Sequence, residues 1–148
     1  MKVIHLSNSD SGGAGIAAYR IHKSLTKIGV NSEMWVNVSI NKDNSVKSSK
    51  NIFKKFFNFT RRNSKKTLML FLKTKNPILH SPSFLSSSWV KKINSSDADI
   101  VNLHWVQHEM LSVSDISKIK KPLVWTLHDM WGFCGAEHIS WDKRWLDG

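Results

Sequence analysis

The sequence predicts an α/β fold built on a parallel sheet with flanking helices, and three observations lead there. Lys121–Phe133 (KPLVWTLHDMWGF) holds a short apolar run, Leu123–Leu127, that reads as a strand buried on both faces and stops abruptly on His128-Asp129. The first forty residues read as a strand, a glycine-rich loop, a helix and a second strand. The same alternation returns over Asp99–Leu127, where a strand and a short helix precede the run that ends on His128.

Taken in order, Lys2–Leu6 is the first expected strand and Ser7–Gly15 a loop of small residues. Ile16–Ile28 has apolar positions at 17, 18, 21, 25 and 28, the stripe of a helix, and Gly29 follows as a helix-terminating C′ residue. Ser32–Asn37 makes a second strand. Residues 41–96 are expected to hold a basic helical insertion: one or two amphipathic helices across Asn51–Lys75, broken near Thr60–Asn63 and closed by Asn76-Pro77, with Ser83–Asn94 as a candidate short helix. Asp99–Trp105 is a strand that ends on His104-Trp105, and Ser112-Val113-Ser114-Asp115 fits a capping box opening a helix to about Lys120.

Bulk properties limit the classes of protein this can be. The 148 residues, 41% hydrophobic with seven Trp, suit one folded domain. A single cysteine, Cys134, excludes an internal disulfide and a multi-cysteine metal site, and suits a reducing compartment. No apolar run of bilayer length occurs, and the start is too short in apolar residues for a signal peptide, so a cytoplasmic protein is expected. The net charge of +11 is local: Asn41–Asn76 carries eleven Lys/Arg against the single Asp43, a net +10, leaving +1 elsewhere.

If the strands pair in parallel, Gly12–Gly15, His104-Trp105 and His128-Asp129 arrive at one edge of the sheet, where ligands of open α/β folds sit. Trp131 and Phe133 would wall an imidazole and a carboxylate there. The glycine loop has three readings. Gly13-Ala14-Gly15-Ile16-Ala17-Ala18 fits the dinucleotide fingerprint literally, but Ser7–Gly12 intervene after the strand and Glu33 lies near the start of the second strand rather than its end. A second reading is a phosphate or diphosphate cradle made of bare backbone N–H groups at a helix N-terminus. The third is a loop that lets helix and strand pack. A metal site from His104, His108 and Glu109 is disfavoured, because His104 ends a strand and cannot share a helical face with His108.

SGGAGIAAYRIHKSL after a first strand, then ADIVNLHWV and KPLVWTLHDMWGFCGAEH, resemble the N-terminal half of family 4 glycosyltransferases, most nearly those that build bacterial surface polysaccharides. The resemblance covers about 1–40 and 97–148. It implies a GT-B architecture of two Rossmann-like domains, of which this chain would be the acceptor-side one, incomplete. It implies metal-independent transfer from a nucleotide-sugar, with retained configuration and no cofactor, to a glycan or lipid-linked acceptor. By the same likeness Gly12 and Gly13, with Gly15 in the same loop, lie beside the donor diphosphate. His128 points at the donor sugar as the catalytic residue, and His104 and Asp129 line the cleft; Trp105, beside His104 at its strand end, is a further substrate-binding candidate from its position alone. The family's nucleotide-sugar domain is not in this sequence, so the chain is expected to be a fragment without detectable transfer on its own.

The basic segment supports three accounts: a solvated helix face, an interfacial helix on anionic lipid at the inner membrane face through Lys54, Lys55, Arg61, Arg62, Lys65 and Lys66, or nucleic-acid binding. The last lacks any recognised nucleic-acid-binding motif. A non-catalytic basic α/β module docking on membrane or nucleic acid is the alternative to the enzyme reading. Sedimentation with anionic rather than neutral vesicles is expected if the lipid account holds, and DNA binding with a steep salt dependence would favour the third.

Overall fold

A computed structural model describes residues 1–41, 43–48 and 80–140. Strand β1 (Lys2–Ser9) is the sheet's centre, flanked by β2 (Asn31–Val38) on one side and β4 (Ile100–Leu103) on the other. The short β3 (Val46–Ser48) lies outside β2, and β5 (Leu123–Trp125) outside β4. All four pairings are parallel. The expected Rossmann-like arrangement of a parallel sheet with helices is therefore what the described residues form. Among them no helix is long and apolar enough to cross a membrane. Residues 49–79, with the expected amphipathic helices and the basic cluster from Lys54 to Lys66, lie outside the description, as do 141–148.

Strand alternation divides the sheet into two unlike layers. On one face Ile4, Leu6, Trp35, Val101 and Leu103 pack with Ile93 of helix α2 (Trp89–Asn94) and with Val106, Met110 and Leu111 of the loop after β4. Helix α1 (Gly12–Lys27) covers the other face, its Ala18 against Met34, Val36 and Val46. The apolar stripe expected on this helix is displaced. Its fully buried positions are Gly15, Ala18 and His22, while Ile21 and Ile28 are exposed.

The helix ends as expected. Gly29 takes φ +84°, its N–H donates to the Thr26 carbonyl, and the Val30 N–H donates to Leu25, a Schellman closure. Ser112 and Asp115 form the reciprocal capping box at helix α3 (Val113–Ile116), but the helix is one turn long. Beyond it Lys118 and Ile119 bond three residues back rather than four, and the chain tightens into a turn instead of reaching Lys120.

Two further expectations are corrected. The connection between the first strand and helix is short, because pairing of Ser7 with Val36 and Ser9 with Val38 extends β1 to Ser9; only Asp10 and Ser11 precede α1. And β5 is not buried on both faces. Leu123 is 40% and Val124 49% exposed, since among the described residues β5 is an edge strand with β4 as its only neighbour in the sheet.

Gly15 sets the approach of α1 to the sheet. A Cβ there would stand 2.5 Å from the Ser9 carbonyl oxygen and 2.9 Å from the Asp10 carbonyl carbon, whereas one at Gly13 meets nothing within 4 Å among the described residues. Gly15→Ala is expected to destabilise the chain by about 1–3 kcal/mol through overpacking against rigid backbone. Gly13→Ala should be neutral or stabilising by up to about 1 kcal/mol from helix propensity. Urea denaturation of the two variants checks both signs.

Candidate functional site

The parallel register brings the carboxyl ends of β1, β4 and β5 to one rim, and α1 begins over it. A cleft of about 340 Å³ opens there, lined by Ser7, Ser9, Ser11, Gly12–Gly15, Trp105, His128 and Asp129. Gly12, Gly13, Gly15, Trp105, His128 and Asp129 thus share one cleft. Trp131, expected as a wall, is instead buried with its indole N–H donating to the Ser81 carbonyl, and Phe133 is exposed.

The start of α1 is bare. Its N-cap, Ser11, makes no side-chain capping bond, because its hydroxyl pairs with that of Ser9 at 2.8 Å, and no acid lies in the first turn. The first-turn N–H groups have no partner within a helix by construction, and the positive end of the helix dipole adds to them. Gly12, at φ +70°, takes a backbone conformation that other residues rarely adopt, and no side chain at 12 or 13 stands between backbone and cleft.

His104 is corrected as a cleft residue. It is 1% exposed, lies behind His128 rather than beside it, and cannot touch a ligand from there. Its Nδ1 is 3.1 Å from Nε2 of His128, and its Nε2 is 3.1 Å from Nδ1 of His5. The physical reason is alternation: His104, Asn102 and His5 lie on the α1 face of the sheet, opposite the apolar layer. Burial, with His22 nearby, pushes the His5 pKa down to about 4. Burial, with His5 and His128 nearby, pushes that of His104 down to about 3. Burial also lowers His128, partly offset by the Asp129 charge.

Asp129 lines the cleft, but its carboxylate is already committed. It accepts hydrogen bonds from Trp105 Nε1 at 2.8 Å, His138 Nδ1 at 2.6 Å and the Trp131 backbone N–H at 3.0 Å, and so caps the single 3₁₀ turn Met130–Gly132. Burial would raise its pKa, but these donors, His138 first, outweigh that and hold it below the usual value. Its role is to fix Trp105 and the turn after His128. His138 in turn accepts from the Ser81 hydroxyl at 2.8 Å, giving the connectivity of a Ser-His-Asp triad. Ser81 is 1% exposed, so the arrangement ties segment 80–83 to the cleft wall rather than presenting a nucleophile.

Sequence reasoning missed four residues that shape this site. His5, an imidazole in the middle of an otherwise apolar run, was the readable signal for a polar layer; His22 and His138 carry none. Asp10, fully buried, accepts from the backbone N–H groups of Ile40 and Asn41 and from the Ser39 hydroxyl, and so pins the loop after β2 beside the glycine turn.

The dinucleotide reading changes ground. The turn off β1 is tight after all, yet Glu33 lies near the amino end of β2, remote from the cleft. Burial would raise the Glu33 carboxyl, but hydrogen bonds from Lys47, Lys2 and Trp35 hold it at about 2. No ribose-binding acid ends β2, whose last residues are Val36-Asn37-Val38. His104 and Glu109 also turn to different partners, Glu109 accepting from the Ser83 and Leu85 N–H groups. No protein-family model, curated protein or solved structure matches the chain.

Neutral buried imidazoles give the fold a pH dependence with a definite sign. Their folded pKa values lie below the ordinary 6.5, so the unfolded chain binds more protons and stability falls as pH drops. Stability to urea should be full above about pH 6.5 and decline between there and about pH 4, a window above that in which the carboxylates titrate. A flat urea midpoint across that window would contradict the neutral histidine layer.

Proposed function

We propose that this chain is the acceptor-side domain of a retaining, metal-independent glycosyltransferase that moves a sugar from a nucleotide-sugar to a growing, lipid-linked polysaccharide. The observation that carries the reading is that a bare helix N-terminus and an imidazole, 116 residues apart from Gly12 to His128, open on one cleft. Transfer of a glycosyl group develops positive charge at the sugar and negative charge on the departing diphosphate. Backbone N–H groups at Gly12 and Gly13 and the dipole of α1 stabilise the second. His128, neutral and on the opposite wall, supplies a hydrogen bond to the sugar or to the phosphoryl oxygen beside it. Trp105, held by Asp129, offers a flat apolar wall of the kind on which sugar rings stack.

In this reading the transfer requires a second domain to grip the nucleotide, and the acceptor reaches the cleft from the side of this one. Docking of Lys54, Lys55, Arg61, Arg62, Lys65 and Lys66 on anionic lipid would hold the domain near a lipid-linked acceptor at the cytoplasmic membrane face.

The diphosphate part is tested with inorganic pyrophosphate as probe, followed by ³¹P line broadening or calorimetry. Weak, millimolar binding to the wild-type chain is expected. Gly13→Glu places a carboxylate in the first turn of α1, where there is room for it and where it favours the helix by about 0.3–1 kcal/mol. The variant should therefore be as stable as the parent or more so, yet bind pyrophosphate at least about tenfold more weakly. Unchanged affinity in a stable Gly13→Glu chain would remove the diphosphate site.

A further inference from the structure

Three imidazoles run in series from the buried centre of the sheet to the cleft wall. His5 Nδ1 meets His104 Nε2 at 3.1 Å, and His104 Nδ1 meets His128 Nε2 at 3.1 Å. The inner two rings are each 1% exposed, and only His128 reaches the cleft. The inner end of the series is closed. Among the described residues His5 Nε2 is buried without a hydrogen-bond partner, and His22, the next ring inward at 6.2 Å between centroids, has both nitrogens engaged by the hydroxyls of Ser32 and Ser45.

A neutral imidazole has one N–H and one lone pair, so two bonds through three neutral rings can be satisfied in two ways only. In the inward arrangement every ring carries its proton on Nε2, and His5 is left with a buried N–H that donates to nothing. In the outward arrangement every ring carries its proton on Nδ1, and His5 is left with an unpaired lone pair. Buried N–H groups without an acceptor are rarer in folded proteins than acceptors left unpaired. Both Asp129 oxygens are taken by Trp105, Trp131 and His138, so the neighbouring carboxylate does not compete for the His128 proton.

We propose that His104, backed by His5, is a positioning residue that fixes the tautomer of His128, keeping its proton on Nδ1 so that the ring offers a neutral N–H donor to an oxygen in the cleft. The consequence for a ligand, a hydrogen bond to a sugar hydroxyl or phosphoryl oxygen, rests on the sugar-transfer reading; the tautomer does not. The lock acts without placing a charge on His128, and it excludes His128 as a general base, because its free nitrogen already bears the proton and its one lone pair, on Nε2, accepts from His104.

The test is a long-range ¹H–¹⁵N correlation spectrum of the ¹⁵N-histidine-labelled 148-residue chain near neutral pH, without ligand. A histidine free in water prefers its proton on Nε2, so the lock predicts the reverse of the default. His128 is expected to show a protonated Nδ1 and an unprotonated Nε2 in the wild type, and to revert to the Nε2–H form in His104→Phe. A wild-type His128 carrying its proton on Nε2 overturns the proposal, and so does a folded His104→Phe variant with an unchanged tautomer. If that variant does not fold, the wild-type spectrum decides by itself. Pyrophosphate binding is scored separately: its absence beside an Nδ1-protonated His128 would remove the diphosphate reading and leave the lock standing.

Discussion

The contact between the backbone of Gly15 and the carbonyls of Ser9 and Asp10 is the constraint on which the site depends. It lets α1 begin directly over the end of the central strand instead of standing off by the width of a side chain. With α1 there, the unpaired N–H groups of its first turn face the rim where β4 and β5 deliver Trp105 and His128. A larger residue at position 15 would move the helix start, and the distance between glycine turn and imidazole would change with it. The shape of the cleft and the packing of the helix are therefore set by the same contact.

The sheet is asymmetric in a way that serves the cleft. One face is an ordinary apolar core of Ile4, Leu6, Val101 and Leu103. The other, on the side that carries α1, buries His5, Asn102 and His104, where aliphatic side chains would give more stabilisation. The fold tolerates this layer because most of its ring nitrogens are paired, with the exception of His5 Nε2. A polar layer leading to one cleft residue is the pattern expected where packing gives way to control of a functional group.

Much of the architecture was legible in the sequence, for local reasons. Strands β1, β2, β4 and β5 and helix α1 announced themselves by apolar runs and spacing, and Gly29 and Ser112–Asp115 by end chemistry that needs only near neighbours. What failed depended on distant partners. Ser7–Ser9 looks like loop by composition, yet pairing with β2 and the bond from Asn8 N–H to the Trp105 carbonyl make it strand. Val46–Ser48 is too short and polar to show a period, and it becomes a strand by pairing with β2. The β5 run looked buried because apolar residues usually are, but an edge position leaves Leu123 and Val124 open. At the site, the glycines, Trp105, His128 and Asp129 could be placed at strand ends from sequence. That His104 stands behind His128, and that Asp129 is occupied by His138, follow only from three-dimensional register.

The central claim is that the glycine turn and His128 act on one ligand. Its most direct measurement is residue-resolved NMR of the ¹⁵N-labelled chain titrated with a nucleoside diphosphate sugar such as UDP-glucose. The account predicts that the amides of Gly12, Gly13 and Ala14 and the ring of His128 shift together along one binding curve, with sugar protons giving intermolecular NOEs to the His128 ring. Shifts confined to another surface, or a response at only one of the two elements, would contradict it.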